Sequence, residues 1–406
     1  MPFEWFVALR YMREAKGQTA LILAAVSIGV AVIVFLSALI GGLQTSLIDK
    51  TLGSQPHVTL RNPREEPRAL VLPRPGLAIA RQTNEASQRL RSIDQWPAVM
   101  AAAARVPGVI ATSPSITGAG FAVRGDATSP IVVRGVEPER FLAIIDIRGR
   151  LDAGRYDLDG DGVVIGSKLA SDLGVTVGDK LRITSTEGRD DVVTVRGVFT
   201  VGNLGVDGTW VVLALRHAQA LYALPGGATT IELKVADVFG AERVAVEVRA
   251  RTGLRADSWM TVNAELLTGL SAQSSSKLMI QFFVIVAVAL GIASVLIVSV
   301  VQKSREIGIL RAVGTPSARV SRVFLLQGGV LGVIGSLIGS AIGAGLSAFF
   351  ENVTRDPAGK VRFPVQLDLP LFALATAIAT GVGLLAAALP ARRAARLDPA
   401  TAIRSV

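Results

Sequence analysis

The stretch KSREIGILRAVGTPSARVSRVF, Lys303 to Phe324, lies between two long apolar runs of the chain. It holds five basic residues and a single acid, Glu306. Short basic loops between membrane-length segments are typical of the cytoplasmic side of a membrane protein. The stretch therefore predicts a membrane protein with a basic, helical loop on its cytoplasmic side.

The composition supports the membrane prediction. Half of the 406 residues are hydrophobic, and the mean hydropathy of +0.49 is high for a water-soluble protein. Four apolar segments approach or exceed the ~20 residues that a helix needs to cross about 30 Å of hydrocarbon: 19–40, 278–301, 323–350 and 371–389. The first is too long for a signal peptide and lacks a clear cleavage site, so we expect an uncleaved span.

Basic residues cluster on one side of the predicted spans. They lie in the 1–18 segment, the 302–322 loop and the 390–406 tail, whereas the 351–370 loop balances three basic residues with three acids. Because positively charged loops stay in the cytoplasm, both termini and the 302–322 loop are predicted to be cytoplasmic. The segment 41–277 and the 351–370 loop are then outside.

The outer segment 41–277 is long enough to form a core of its own. Stretches within it carry the periodicity of strands or helices: 163–184, 191–199, 229–236 and, as a helix, 236–253. The Pro-, Arg- and Gln-rich stretch 64–94 has little apolar periodicity and predicts a linker or an insert. The sequence thus predicts an α-helical four-span membrane protein with a large α+β domain between spans 1 and 2.

Composition also excludes common classes of function. The chain has no cysteine, and its two histidines, His57 and His217, are far apart, so we expect hydrogen-bonded surface side chains instead of metal ligands. The net charge of +10 accompanies only 5% aromatic residues, and the arginines lie beside the apolar runs. That distribution indicates membrane topology and not nucleic-acid binding.

Two motifs resemble ligand sites without meeting their requirements. DLDGDG, Asp157 to Gly162, matches half of a calcium loop, but Lys168 stands where a bidentate glutamate is needed, so we expect a structural turn. GVVIGSK, which ends at Lys168, has too few residues between its glycines for a phosphate loop. We predict no catalytic, cofactor-binding or metal-binding residue, and we do not expect the chain to be an enzyme.

The basic loop predicts an amphipathic helix whose apolar residues share one broad arc: Ile307, Ile309, Leu310 and Val313. Glu306 falls inside that arc, whereas Gly308 and Arg311 lie around its edges and back. Gly314 ends the helix. Two interpretations stay open: the helix rests on anionic headgroups, or it docks on a cytoplasmic partner through Arg305 and Glu306.

The third predicted span carries glycines in small-xxx-small spacing: Gly328, Gly332, Gly335, Gly339 and Gly343. Such spacing lets helix backbones approach closely in lipid. Packing within one chain and an interface with a second chain are both compatible with it.

The residues also carry a family resemblance. KSREIGILRAVGTPSARVSRVFLLQG resembles the segment after the second span of FtsX/MacB-type (type VII) ABC transporter permeases, and LPARRAARLDPATAIR, 389–404, resembles their C-terminal end. Stretches of the remaining chain are similar to the lipoprotein-releasing LolC/LolE permeases: ALRYMR (8–13), PHVTL (56–60), VVRGVEPERF (132–141), GVVIGSKLASDLGVTVGDKLRI (162–183) and DSWMTVNAELLTGL (257–270).

The resemblance implies a multi-pass permease subunit of a bacterial inner membrane. Such a subunit works as a dimer with an identical or related permease chain and with two copies of a separate ABC ATPase, which binds the ATP and Mg. The loop after span 2 would be the ATPase-coupling region: Arg305, Glu306, Ile307, Gly308, Leu310, Arg311 and Gly314. The outer domain would have two subdomains, and its motion would extract or export lipoprotein or lipid-like hydrophobic cargo.

Two departures from the LolC/LolE pattern keep other functions open. The stretch STEGRDDVV, 185–193, predicts a tight hairpin where carrier-recruiting permeases insert an extended hook. The 64–94 stretch looks like extra sequence and would suit another outer partner, an adaptor or a carrier, or be a tolerated insertion. The alternatives are tripartite efflux of small hydrophobic compounds or peptides with a periplasmic adaptor, and a non-transporting FtsX-like signal transmitter.

Overall fold

The computed structural model describes residues 3–63, 90–355 and 365–396. In these ranges the helices are, in chain order, α1 (Phe3–Glu14), α2 (Lys16–Leu52), α3 (Trp96–Ala104), α4 (Pro138–Ile144), α5 (Ser167–Leu173), α6 (Leu204–Asp207), α7 (Leu215–Leu221), α8 (Ala241–Thr252), α9 (Trp259–Val262), α10 (Ala264–Gln302), α11 (Ser304–Ala312), α12 (Ser317–Val353) and α13 (Leu369–Ala395).

The strands of the same ranges are β1 (Val58–Arg61), β2 (Val109–Arg124), β3 (Ala127–Val136), β4 (Leu151–Gly154), β5 (Gly162–Gly166), β6 (Lys180–Ser185), β7 (Asp190–Phe199), β8 (Trp210–Ala214), β9 (Thr230–Val235) and β10 (Arg255–Ser258). The predicted 64–94 insert falls largely on 64–89, outside the described residues.

Among the described residues, four helices are long and apolar enough to cross a membrane: α2, α10, α12 and α13. They are longer than the apolar segments that predicted them. α2 has 37 residues, about 55 Å at 1.5 Å per residue, well beyond the hydrocarbon thickness. The chain divides into a unit of residues 1–47 and 268–406, which contains the spans, and a unit of residues 48–267.

Within the first unit, α12 contacts both α2 and α13 through its glycines. The carbonyl oxygen of Gly383 on α13 occupies the space that a Cβ at Gly328 would need. A Cβ at Gly339 would lie 2.5 Å from the Ser27 carbonyl oxygen on α2. Ser27 Oγ also donates a hydrogen bond of 3.1 Å to the Gly335 carbonyl. The backbones therefore approach closely, as small residues allow in lipid.

The second unit is a mixed sheet that partly closes on itself. β2 pairs with β3, β3 with β8, β8 with β5, β5 with β7, β7 with β6, and β6 returns to β2. These six strands form a closed barrel filled by alternating apolar side chains, with Leu169 of α5 and Ala218 of α7 in the same core. A closed barrel leaves no exposed edge on this part of the sheet.

The remaining strands extend the sheet from the first half of β2. The order there is β10-β1-β9-β2, and α3 and α8 cover one face with a core that includes Trp259. The predicted α+β domain between the first and second spans is thus confirmed. The helix predicted over 236–253 begins only at Ala241, because the Asp237 carboxylate accepts a 3.1 Å hydrogen bond from the Phe239 N–H and forms a turn.

A buried ion pair joins the barrel to the sheet extension. Arg134 of β3 and Glu232 of β9 lie on either side of β2, and their side chains are only 8% and 2% exposed. The Arg134 guanidinium lies 4.5 Å from the Trp210 ring centroid, and Ser115 Oγ donates to Glu232 at 3.0 Å. Removing one partner of a buried ion pair is strongly destabilising, because the other charge stays buried without compensation.

We expect Arg134→Ala to destabilise the outer unit by about 3–5 kcal/mol, because it leaves the Glu232 carboxylate buried without its counter-ion. The double change Arg134→Met with Glu232→Leu should recover most of that loss. Thermal unfolding of the full-length protein in detergent, followed by tryptophan fluorescence, measures both effects. Arg182→Ala, at an exposed position of β6, is the control. Equal midpoints for the wild type and Arg134→Ala would contradict the assignment.

Candidate functional site

The quoted loop folds as a short helix, α11, between α10 and α12. Gly314 adopts a φ of +101°, a region that favours glycine, and turns the chain after α11. Pro316 directly precedes α12, where its missing N–H is tolerated. The residues predicted as the end of the loop, 317–322, are already part of α12.

The buried face of α11 differs from the predicted arc. Ile307 and Gly308 are buried, and Ser304 and Arg311 are half-buried. Ile309 and Val313 are 48% and 84% exposed, so the face of α11 that is buried within the chain is not the predicted apolar arc. The reason is helical spacing: 304, 307, 308 and 311 are three or four residues apart and share one face. That the arc meets headgroups or a partner stays a prediction.

Ile307 inserts into a set of buried residues that we call the end cluster: Ala8, Tyr11, Val300, Ile307, Val320, Val323, Phe324, Ala391 and Ala394. These side chains come from α1, α10, α11, α12 and α13. Tyr11 and Phe324 rings lie 6.4 Å apart, and Gln327 Nε2 donates to the Ala8 carbonyl at 3.4 Å. The end cluster thus connects α11 to three of the four long helices.

A polar network lies beside the end cluster. Lys303 Nζ is 2.6 Å from Glu14 Oε2 and 2.7 Å from Glu306 Oε1, and Glu14 also accepts a 2.8 Å hydrogen bond from Arg10. Hydrogen bonds from Lys303 and Arg10 lower the pKa of the Glu14 carboxyl. Those to Glu14 and Glu306 raise the pKa of Lys303. Burial raises the pKa of Tyr11, whose ring lies 5.4 Å from Lys303 Nζ, to about 12. Glu14 and Lys303 are therefore both charged at neutral pH, beside a neutral phenol.

The predicted coupling residues divide into two groups. Ile307, Gly308 and, in part, Leu310 and Arg311 face the protein, whereas Arg305, Glu306 and Gly314 are exposed. Glu306 is held by Lys303, three residues before it. Arg305 makes no ion pair with any residue of the described ranges. Arg305 is therefore an exposed charged side chain of α11 with no ion pair to the described residues.

Sequence reasoning missed the contribution of α1. Glu14 and Tyr11 contact Lys303 across nearly 290 positions of the chain. In the sequence, Glu14 is an acid among the basic residues that precede the first span, which is only a weak indication that it pairs with a basic residue elsewhere. Pairing over such a separation depends on how the helices pack, so no local pattern reveals it.

The five span glycines all face neighbours of the same chain. Gly328 and Gly332 contact α13, and Gly335, Gly339 and Gly343 contact α2. Of the two open interpretations of the small-xxx-small spacing, the geometry matches packing within one chain.

The two ligand-like motifs have structural partners. Asp157 accepts a hydrogen bond from the Asp159 N–H and pairs with Arg155, and Asp161 accepts from Thr194 at 2.6 Å. No metal-binding group of His, Asp or Glu occurs among the residues described.

The expectation of a surface histidine was wrong for His57. Its ring is buried and accepts a 3.2 Å hydrogen bond from the Val235 N–H, and burial lowers its pKa. His217 is half-buried and pairs with Asp191. Both side chains have structural partners.

Two protein-family models match this chain. One, the MacB-like periplasmic core domain, matches residues 19–251, more than half of the chain; the other, the FtsX-like permease C-terminal model, matches residues 278–399. The chain belongs to the FtsX/MacB-type family of ABC transporter permeases. The predicted family is confirmed, and the chain is accordingly a multi-pass inner-membrane permease.

Named relatives of this family align along almost the whole chain. The lipoprotein-releasing system transmembrane protein LolC of Xylella fastidiosa is 25% identical over 437 positions, which cover 99% of both chains. LolC of Neisseria meningitidis is 23% identical with the same coverage. The macrolide export ATP-binding/permease protein MacB of Marinobacter nauticus is 26% identical over 98% of this chain but only 60% of its own length.

We expect Gly339→Ala to lower the stability of the membrane unit by about 1–3 kcal/mol, because the added Cβ forces the α2 and α12 backbones apart. Gly345→Ala is the matched control on the same helix: nothing lies within 4 Å of a Cβ there. It should be neutral or slightly stabilising, because alanine favours a helix more than glycine does. Thermal unfolding in detergent compares the two, and equal midpoints would refute close packing at Gly339.

Proposed function

We propose that this permease transmits the motion of a partner ATPase to its outer domain, and that α11 is the element that receives the motion. The observation that carries the proposal is the contact of Ile307 with the end cluster. Because the cluster joins α11 to α1, α10, α12 and α13, a push on α11 reaches several helices at once. Packed elements of this kind move as units and do not deform continuously.

The charges of α11 suit two different tasks. Arg305 is exposed and unpaired among the described residues, so it is available to an acidic or polar surface of the ATPase. Glu306 and Lys303 hold α11 to α1 through Glu14. We therefore assign Arg305 to partner contact, and Glu306 to positioning. No phosphate loop occurs in the 406 residues, which supports an ATPase on a separate chain. Two ATPase copies and a second permease chain complete the proposed complex.

We propose lipoprotein or lipid-like hydrophobic molecules as the cargo. The support is the coverage of the relatives: LolC proteins, named for lipoprotein release, match over 99% of both chains, whereas the MacB relative extends well beyond the match. Efflux with a periplasmic adaptor is the second candidate. The hairpin between β6 and β7 favours this candidate. The Ser185 N–H donates to the Arg189 carbonyl at 2.7 Å and closes a tight turn. A turn this short leaves no room for the extended hook of carrier-recruiting permeases.

The proposed task of α11 predicts how charge changes affect the ATPase. The ATPase should co-purify with the wild-type permease in mild detergent. Arg305→Glu should reduce co-purification and permease-stimulated ATP hydrolysis at least fivefold, because it reverses the exposed charge. Glu306→Lys should leave ATPase binding largely intact but uncouple hydrolysis from transport, because it repels Lys303.

The control for these variants is Arg392→Glu, an exposed basic residue at the end of α13. It changes the net charge equally at a residue outside α11 and should keep co-purification and hydrolysis near wild-type values. Losses of the same size in Arg392→Glu and Arg305→Glu would show a general charge effect and would refute the assignment of α11. A fully active preparation without any ATPase would refute the whole proposal.

The proposed topology places both termini and α11 in the cytoplasm and the 48–267 unit in the periplasm. A reporter fused after Gly314 should therefore be active only in the cytoplasm. One inserted at Gly188, in the β6–β7 turn, should be active only outside. Both glycines lie in turns with positive φ and no atoms near a Cβ, so insertions there are tolerated structurally. The reverse activities would reject the topology.

A further inference from the structure

A cavity of about 380 Å³ opens between α2, α10 and α13. It lies toward the C-terminal end of α2 and the N-terminal halves of α10 and α13. Its volume is within the range of about 300–1,000 Å³ that is usual for small-molecule sites. The cavity is amphiphilic: one end carries charged and amide side chains, and the other is lined by aliphatic ones.

The polar end carries one charge of each sign. Lys277 of α10 is half-buried, and Asp368 is exposed at the N-cap of α13, where its side chain makes no capping bond. Neither forms an ion pair within the described ranges. The Gln366 N–H donates to the Ala38 carbonyl at 3.3 Å, which holds the segment before α13 against α2. Gln281 Nε2 donates to Ser37 Oγ at 2.8 Å and links α10 to α2.

The apolar end adjoins a second, much smaller cavity. Ile33, Ile285 and Ile378 line the first cavity and also line the second, which has a volume of about 20 Å³ and lies between the same helices. That volume is enough for about one water molecule. At Gly29, α2 and α10 pack directly, since a Cβ there would lie 2.5 Å from Val288 Cγ2. The aliphatic end of the first cavity can therefore take the beginning of an acyl chain but not its whole length.

We propose that this cavity binds one zwitterionic phospholipid of the surrounding leaflet, with an ethanolamine headgroup. Its phosphate lies at Lys277, its ammonium donates to Asp368, and the first methylenes of one acyl chain occupy the aliphatic end of the cavity. An anionic headgroup would meet the Asp368 carboxylate without an ammonium to neutralise it. The proposal goes beyond the role of α11 and is independent of the cargo. A lipid here would bridge spans 1, 2 and 4 at their outer ends.

The test is native mass spectrometry of the purified full chain in detergent, titrated with dioleoyl phosphatidylethanolamine or dioleoyl phosphatidylglycerol. We expect one phosphatidylethanolamine to bind at least fivefold more tightly than phosphatidylglycerol. Asp368→Asn keeps a good N-cap for α13 and should abolish this preference. Lys277→Gln should weaken both lipids at least fivefold, and Lys50→Gln, at an exposed position beyond the cavity, should change neither.

Equal binding of the two lipids by the wild type would overturn the proposal, as would an unchanged preference in Asp368→Asn. A synthetic tripalmitoylated peptide separates this site from a cargo site. If the peptide displaces phosphatidylethanolamine with higher affinity, the cavity is a cargo site and the phospholipid assignment is wrong. None of these measurements needs the ATPase, so their failure is distinct from a failure of the proposed coupling by α11.

Discussion

The close approach of α12 to α2 and α13 is the constraint on which the membrane unit depends. In hydrocarbon the helices gain no hydrophobic energy from meeting each other, so association rests on van der Waals contact and on a few hydrogen bonds. Glycines on α12 bring its backbone against carbonyl oxygens of both neighbours. Since there is no side chain at these positions to rearrange, the three helices have little freedom to slide independently.

Because α2, α12 and α13 are packed closely, the end cluster attaches α11 to a rigid set of helices. α11 would be a loosely attached surface helix if Ile307 met only lipid or water. Instead, Ile307 packs among residues from α1 and the ends of α10, α12 and α13, and Lys303 holds two carboxylates beside them. The closely packed helices α2, α12 and α13 and the end cluster are therefore in continuous contact. Such contact is what a permease needs if it receives force at one membrane face.

The outer unit solves a different problem, because water surrounds it and its strands need partners. Closure of six strands into a barrel removes free edges, and the long β2 carries the sheet onward to β9 and β1. The buried Arg134–Glu232 pair lies where these two parts meet. A buried ion pair contributes less to stability than apolar packing would, but it is demanding in geometry. It therefore favours one arrangement of the barrel and the extension.

Sequence patterns were sufficient for the spans, the α+β outer domain and the family, because apolar length, strand alternation and motif order are local properties of the chain. They also identified α11 and its terminal Gly314. They did not show that Ile307 and Gly308 are the buried residues of α11, because hydrophobicity alone does not show which face of a short helix meets a neighbour of the same chain.

The sequence by itself determined which segments are helices that cross the membrane, where charge accumulates, and which glycines permit close packing. Only the tertiary structure decided that those glycines face α2 and α13 of the same chain, that Glu14 and Tyr11 meet Lys303, and that Lys277 and Asp368 share a cavity. The physical reason is sequence separation. Each of these contacts joins residues on different helices, and only the packing of the helices brings them together.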